Sequence, residues 1–236
     1  MKDATTHKKA KLIQHLKGAV LTLQLEPGQD LDEAALSDAF GLSRTPLREV
    51  FAQLAGEGFI ELRKNRGAWV SAMTHTTLRD FFLAAPMVYG AILKLAARNA
   101  KSAQIEELQE TQDRFKAALR KGAPEDRALA NNRFHEVTGD MADNIYLLPS
   151  FRRLLIDHAR IGMTFYRPQD REMADKLSEA SAQHDTIIEA IAARDEDAAE
   201  RLAVDHWNLS REQIERFVTP RSLDMPLGGA ARKTSA

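Results

Sequence analysis

Three histidines and one asparagine, His135, His184, His206 and Asn131, are the residues of this chain whose placement could do chemistry. Asn131 stands four residues before His135 in a helical stretch, so the two side chains share a face. His184 and His206 fall on the two arms of a helical hairpin whose tight turn the sequence puts near Asp195, each eleven residues from it. At about 1.5 Å of rise per residue, equal distance from the turn sets two residues of an antiparallel pair at the same height. Neutral imidazoles brought together in this way suit a divalent transition ion such as zinc or nickel. Taken singly, a helical histidine is more often a surface residue or a satisfied core residue. The shared height of His184 and His206 is what sets this pair apart.

A second group lies nearer the N-terminus. Ser43, Arg44, Thr45 and Arg48 open a helix whose other side is apolar, through Leu47, Val50, Phe51 and Leu54. Arginine's fork matches the O6/N7 edge of guanine, and threonine can meet a thymine methyl or a phosphate. Farther on, Lys64, Asn65, Arg66 and Gly67 form the tip between two short strand-like runs. A basic tip with a glycine lets the main chain approach a phosphate backbone or a minor groove. An arginine pair at i and i+4 is by itself an ordinary solvated face, and the surrounding elements decide its meaning.

Those elements follow in a definite order. Leu12, Ile13, Leu16, Val20 and Leu23 recur at helical spacing, and Glu26-Pro27-Gly28 is the turn expected to stop this first helix. Asp32 is a good N-cap for a second short helix reaching Phe40, with Gly41 at its C′ position. Ser43 can cap the third helix, whose first turn tolerates Pro46. The runs FIELR and AWVS read as a hairpin, with Ile60 and Leu62 on one face and Trp69 packing back from the partner strand. Helix, helix-turn-helix and basic hairpin within about 70 residues form a winged helix-turn-helix, whose recognition helix reads the major groove.

Composition sets limits without suggesting DNA. The 236 residues carry a net charge of −1, and residues 1–72 hold ten Lys/Arg against nine Asp/Glu, so any nucleic-acid contact must come from a local patch. There is no cysteine, which excludes disulfides, zinc ribbons and thiol catalysis and agrees with a reducing cytoplasm. No signal-peptide core and no run of roughly 20 apolar residues is evident, so no membrane association is expected and the location is expected to be cytoplasmic.

From Thr76 onward the pattern is helical without strands, with segments at 77–100, 102–121, 124–142, 144–163, 170–193 and 196–218. The expected fold is therefore mainly α. A winged helix-turn-helix of three helices and a β-hairpin wing (residues 1–74) precedes an all-α six- or seven-helix sensor bundle (75–219). A disordered tail rich in Pro, Gly and small residues (220–236) closes the chain.

The run LEPGQDLDEAALSDAFGLSRTPLREVFAQLAGEGFIELRKNRGAWV resembles the DNA-binding region of the GntR family. That resemblance implies that Arg44, Thr45 and Arg48 face an operator and that the Lys64–Gly67 wing assists. One departure is Ala34, where some relatives carry an arginine that contacts phosphate. The second half is similar to the FCD-type sensor of the FadR-like subfamily. NNRFH at 131–135, His184 and DHW at 205–207 match its pattern of Asp, then His four residues on, then two further His. The resemblance implies that Asn131, His135, His184 and His206 are the metal set, with Asn131 in place of the usual Asp. The Arg-x-x-Leu-Glu run that relatives carry in the first sensor helix falls near Tyr89 and Leu93, so its anion contacts do not carry over. Arg160 and Tyr166 are offered as polar partners for an effector.

The expected protein is thus a homodimeric, cytoplasmic transcriptional regulator, most often a repressor in this family. It would bind a double-stranded DNA operator under the control of a small carboxylate effector. The rival from another class is a helical metal-dependent hydrolase or lyase using the three histidines. No HExxH, paired-carboxylate or nucleophile motif supports it, and it leaves the helix-turn-helix unexplained. A helical dimerisation module without any small ligand is the third reading.

Overall fold

The computed structural model describes residues 2–64 and 66–218. The tail expected to be disordered, 220–236, and the wing residue Asn65 lie outside the described residues. The first unit runs α1 (Lys2–Leu21), β1 (Asp30–Leu31), α2 (Glu33–Phe40), α3 (Arg44–Glu57), β2 (Ile60–Arg63) and β3 (Gly67–Val70). Helix α1 stops at Leu21, ahead of the expected Pro-Gly turn, because Leu23 turns left-handed at φ 59°. The Pro27-Gly28 turn instead delivers the chain to the sheet, where the Gly28 N–H donates to the Val70 carbonyl at 3.0 Å. Asp32 caps α2 by accepting from the N–H groups of Ala34 and Ala35, both at 2.9 Å. Gly41 ends the helix in the left-handed region at φ 58°.

The sheet has three strands in the order β1-β3-β2, so the expected hairpin gains a short strand, β1, that pairs Asp30 with Trp69 and Leu31 with Ala68. Two residues are correctives to the sequence reading. Leu62 shares a face with Ile60, but the hairpin carries it past the core and it is 54% exposed. Ala68 and Val70 are the buried residues of β3, whereas Trp69 faces the other side. There Arg63 lies 4.4 Å over its ring, and its indole N–H donates to the Arg66 carbonyl at 3.1 Å. That contact stiffens the wing.

Thr74 opens the second unit with a reciprocal capping box to Thr77. There follow α4 (His75–Asn99), α5 (Ser102–Lys121), α6 (Pro124–Ala142), α7 (Leu147–Gly162), α8 (Arg171–Ala192) and α9 (Glu196–Val218). All six expected segments are present. Helix α7 starts three residues later than expected, since the Asn144 side chain accepts from the N–H groups of Tyr146 and Leu147 and holds that stretch as a turn. The α8–α9 turn falls where the pattern placed it, with Arg194 at φ 62° and Asp195 capping α9 through the Ala198 N–H.

Contrary to the sequence reading, α4 is long and apolar enough to cross a bilayer by length and composition. It packs as the central core helix against α6, α7 and α9, burying Phe81, Ala85, Tyr89, Ile92, Leu93 and Ala96. A core helix that is apolar on most sides meets the same criterion as a membrane span.

One core fills the first unit, built on Leu12, Leu16, Val20, Leu47, Phe51, Leu54 and Val70. Two further clusters fill the helical unit, one around α4, α6 and α9 and one around Phe115, Tyr166 and Leu177. Ile156 and Ala159 of α7 belong to the core of the first unit, so α7 is shared between the two.

Candidate functional site

The histidines converge. His184 and His206 meet Nε2 to Nε2 at 3.2 Å, as equal distance from the Asp195 turn requires. With His135 they form a trio whose ligand-capable nitrogens all lie within 4.8 Å of one another. All three are buried, at 6%, 0% and 5% exposure for His135, His184 and His206, which excludes solvent from the nitrogens between them. Asn131 is buried one turn before His135 on α6.

Hydrogen bonds behind the rings set their tautomers. Gln112 of α5 donates from Nε2 to the Ser181 carbonyl at 2.7 Å and to Asp185 Oδ1 at 3.1 Å, which fixes its amide orientation. Its Oε1 therefore faces His184 Nδ1, at 3.1 Å, as the acceptor. Gln183 Oε1 stands 2.9 Å from His206 Nδ1 in the same role. Both rings then carry their proton on Nδ1 and turn bare Nε2 lone pairs toward each other. Two lone pairs at that separation cannot satisfy one another, and among the described residues His135 Nε2 has no hydrogen-bond partner. Three neutral nitrogen donors, two of them oriented by amide acceptors, fit a divalent transition ion.

Burial holds the imidazoles neutral. Desolvation, followed by the neighbouring histidines, pushes His135 and His184 well below the ordinary value, and desolvation takes His206 down to about 3. A neutral ring is the state a metal needs.

Sequence reasoning missed a fourth member. His158 of α7 is buried, its ring centroid 5.2 Å from that of His135, and its Nδ1 is 3.0 Å from the Tyr89 hydroxyl of α4. Desolvation brings its pKa down to about 4. The available signal was a histidine on the apolar stripe Phe151-Leu155-His158. Gln112 carried the same kind of signal, a polar residue between Leu108 and Phe115 on a buried face.

The two residues offered as effector partners stand elsewhere. Arg160 is two residues beyond His158, about 200° round the helix. Its guanidinium is bound to Ser71 Oγ and Asp157 Oδ1, both at 3.0 Å, and to the Ser71 carbonyl. It faces the first unit, so it is a junction residue. Tyr166 packs behind Phe115, whose ring lies 5.3 Å from His184 and 6.4 Å from Tyr166. It is one aromatic layer removed from the histidines.

At the other end of the molecule, Ser43, Arg44, Thr45 and Arg48 are exposed, while Leu47, Val50, Phe51 and Leu54 are buried beneath them. Ser43 occupies the N-cap position without a side-chain capping bond. Among the described residues Arg44 and Arg48 have no ion-pair partner, whereas Glu49 is held by Lys9 of α1 at 2.7 Å. Lys64 and Arg66 are exposed at the wing, and Gly67 adopts φ 80°, the left-handed region that favours glycine. Ala34 is exposed at the start of α2 and offers no charge there.

A recognition helix with a basic wing, joined to a helical bundle, is the layout of a DNA-binding regulator. Residues 8–70 match the bacterial regulatory proteins of the gntR family, and residues 87–209 match the FCD domain. The chain belongs to the GntR family of transcriptional regulators, in the branch with an FCD domain. It is 26% identical over 204 residues to the HTH-type transcriptional repressor RspR of Escherichia coli K12, covering 86% of each chain. It is 20% identical to the HTH-type transcriptional regulator YdhC of Bacillus subtilis, covering 86% of this chain and 89% of that one. Among solved structures, E. coli McbR/YncC superposes with a TM-score of 0.75 at 17% identity, over 90% of this chain and 99% of that one. A GntR regulator from Rhodococcus sp. RHA1 gives a TM-score of 0.65 at 17% identity, over 88% and 97%. These structural likenesses show the shared fold. The protein is a DNA-binding transcriptional regulator and not an enzyme, which removes the hydrolase or lyase reading.

Proposed function

We propose that the chain is a homodimeric repressor whose grip on its operator is set by a small organic acid bound at a metal-centred site in the helical unit. The observation that carries the sensor half is the facing pair of Nε2 atoms on His184 and His206, with the partnerless His135 Nε2 beside them. His135, His184 and His206 would hold zinc or nickel, with the Asn131 amide oxygen as a neutral fourth donor. Bound there, the ion would offer a carboxylate a positive anchor in a core that is otherwise neutral. The chain's own part is to hold the imidazoles neutral through burial, to orient them through Gln112 and Gln183, and to keep water out through Phe134, which stacks on His184 at 3.8 Å.

For DNA, we assign Arg44, Thr45 and Arg48 to base edges in the major groove and Ser43 to the backbone at the helix start. The wing of Lys64, Asn65, Arg66 and Gly67 is assigned to phosphates or the minor groove. The exposure of Ser43, Arg44, Thr45, Arg48, Lys64 and Arg66, and the lack of an ion pair at Arg44 and Arg48 among the described residues, support this assignment. Separate cores on either side of residues 71–74 support a DNA-binding domain at 1–74 and a sensor domain at 75–219. A symmetric dimer matches a two-fold operator. Leu83 and Met87, one turn apart on α4 and 65% and 70% exposed, are apolar side chains that a second copy would cover. Repression is the role that the name of RspR carries, and a regulator of this kind acts where bacterial DNA lies, in the cytoplasm.

The test is the metal content of the purified protein with and without His184→Ala, beside binding to a duplex from upstream of its own gene. Near-stoichiometric metal that the substitution abolishes, with specific DNA binding, is the expected result. Specific DNA binding with no metal in the wild type would overturn the metal-centred site and leave a purely organic pocket.

A further inference from the structure

Helix α7 has two working faces. On one, His158 bonds to Tyr89 of the sensor's central helix and stands beside His135. On the other, Ile156 and Ala159 are built into the core of the DNA-binding unit. Two arginines flank that buried contact. Arg160, buried with a side-chain exposure of 0%, binds Ser71 through both its hydroxyl and its carbonyl. Ser71 follows the wing strand β3 directly, and its N–H donates to the Phe59 carbonyl at 3.0 Å. About two turns earlier, Arg153 lies against Gly58, the left-handed residue that ends the recognition helix α3, so closely that a Cβ there would collide with it. Asp157 joins the two, accepting from Arg153 at 2.9 Å and from Arg160 at 3.0 Å. Beside this contact the units separate around a cleft of about 570 Å³ lined by Lys17, Glu57, Arg133, Arg152 and Arg153.

We infer that Arg153 and Arg160 are positioning residues for DNA reading: with Asp157 between them, they fix the end of the recognition helix and the root of the wing to α7, and α7 carries the state of the histidine site to both. A guanidinium suits this task because its planar fork can hold a carbonyl, a hydroxyl and a carboxylate at once and stays charged when buried. Two attachment points on one helix make the DNA-binding unit follow α7 as a body, while the cleft leaves room for it to swing. A shift of His158 against Tyr89 therefore moves α3 and the wing together. The transmission half of this inference rests on the metal-site reading above, whereas the attachment half does not.

The experiment uses the full chain, with zinc alone as the probe. Zinc stoichiometry and operator affinity with and without zinc are measured for the wild type, Arg160→Gln and Ser71→Ala. The expected result is unchanged zinc stoichiometry in all three. The zinc response of operator affinity should shrink about tenfold in Arg160→Gln and less in Ser71→Ala, which keeps the carbonyl contact. A zinc-loaded Arg160→Gln with the full wild-type response would overturn the inference, since a residue that merely stabilises the fold would leave the response intact. If Arg160→Gln does not fold, Arg153→Ala, whose side chain is 38% exposed, carries the same test at the α3 end. If the wild type binds no zinc, the metal-site reading fails on its own. The attachment is then tested by hydrogen exchange, where Arg160→Gln should speed exchange of the amides at 71–74 and in the last turn of α3 and leave α8 and α9 unchanged. Equal exchange at 71–74 would overturn it.

Discussion

His184 and His206 face each other Nε2 to Nε2 at 3.2 Å, and the glutamines behind them, Gln112 and Gln183, put the proton of each ring on the far nitrogen. Such a pair is a poor hydrogen bond and a good pair of ligands. Zinc should therefore stabilise the protein by linkage, by about 2.7 kcal/mol when free zinc is a hundred times its dissociation constant. His184→Ala should abolish that gain. Calorimetric melting with zinc and with chelator measures both, and an equal zinc shift in the variant would place the ion elsewhere.

Gln112→Leu keeps roughly the volume of the side chain and removes the acceptor that orients His184. Outer partners of ligating histidines typically contribute 10–100-fold in metal affinity, and a loss in the range of about 10–100-fold is expected here. The substitution also leaves the buried His184 Nδ1–H without its acceptor, costing about 1–3 kcal/mol of stability. Titration calorimetry with zinc reads the first effect and denaturant unfolding of the metal-free protein reads the second. Unchanged affinity would mean that the tautomer is set by something other than Gln112.

Asn131→Asp tests the departure from the family pattern. A carboxylate adds charge to a donor set that is otherwise neutral, and zinc affinity should rise on the order of tenfold, about 1.4 kcal/mol. No gain, with zinc still bound, would show that position 131 lies outside the coordination sphere and that the three histidines suffice.

How far the sequence carries differs between the two halves of the site. The heights of His184 and His206 follow from helix rise and one turn, because the arms are consecutive and the turn is marked by Arg194-Asp195. The recognition helix was equally legible, since Leu47, Val50, Phe51 and Leu54 repeat at helical period and leave Arg44 and Arg48 outside. Contacts between segments remote in sequence were not. Tyr89 and His158 are 69 residues apart, and no local period says that α4 and α7 cross there. Arg160 misled for the same reason. Its polarity marked it as notable, but only the packing of Ile156 and Ala159 into the first core shows which way it points. Strand β1 escaped because two residues are too few to show alternation, and its partner β3 comes almost 40 residues later.

The metal-free protein should lose stability as pH falls, through its buried histidines. In the folded state burial lowers His158 to about 4 and His206 to about 3, and His135 and His184 shift in the same direction. In the unfolded chain each titrates near 6.5. The unfolded state then binds more protons below that value, so the neutral histidines contribute fully above about pH 6.5. Their contribution fades as pH falls, down to about 4 for His158 and about 3 for His206. Between pH 7 and 5 each histidine that stays neutral costs about 2 kcal/mol. Denaturant midpoints of chelated protein across that range check this. A flat profile below pH 6.5 would show that the cluster takes up protons without unfolding.

Arg48 and Lys64 should separate base reading from phosphate contact. Arg48 is exposed on the recognition helix above the buried Leu47 and Phe51, and Lys64 sits at the wing, where Trp69 and Arg63 hold the hairpin. If Arg48 reaches a guanine edge, Arg48→Ala should cost about 1–3 kcal/mol on the operator and relax preference at one position of each half-site. Lys64→Ala should weaken binding alike on all sequences and lower the salt slope by about 1. Competition binding against a panel of single-base operator variants at two salt concentrations distinguishes the two. Uniform loss with a reduced slope for Arg48→Ala would make that residue a phosphate contact and leave base reading to Arg44 and Thr45.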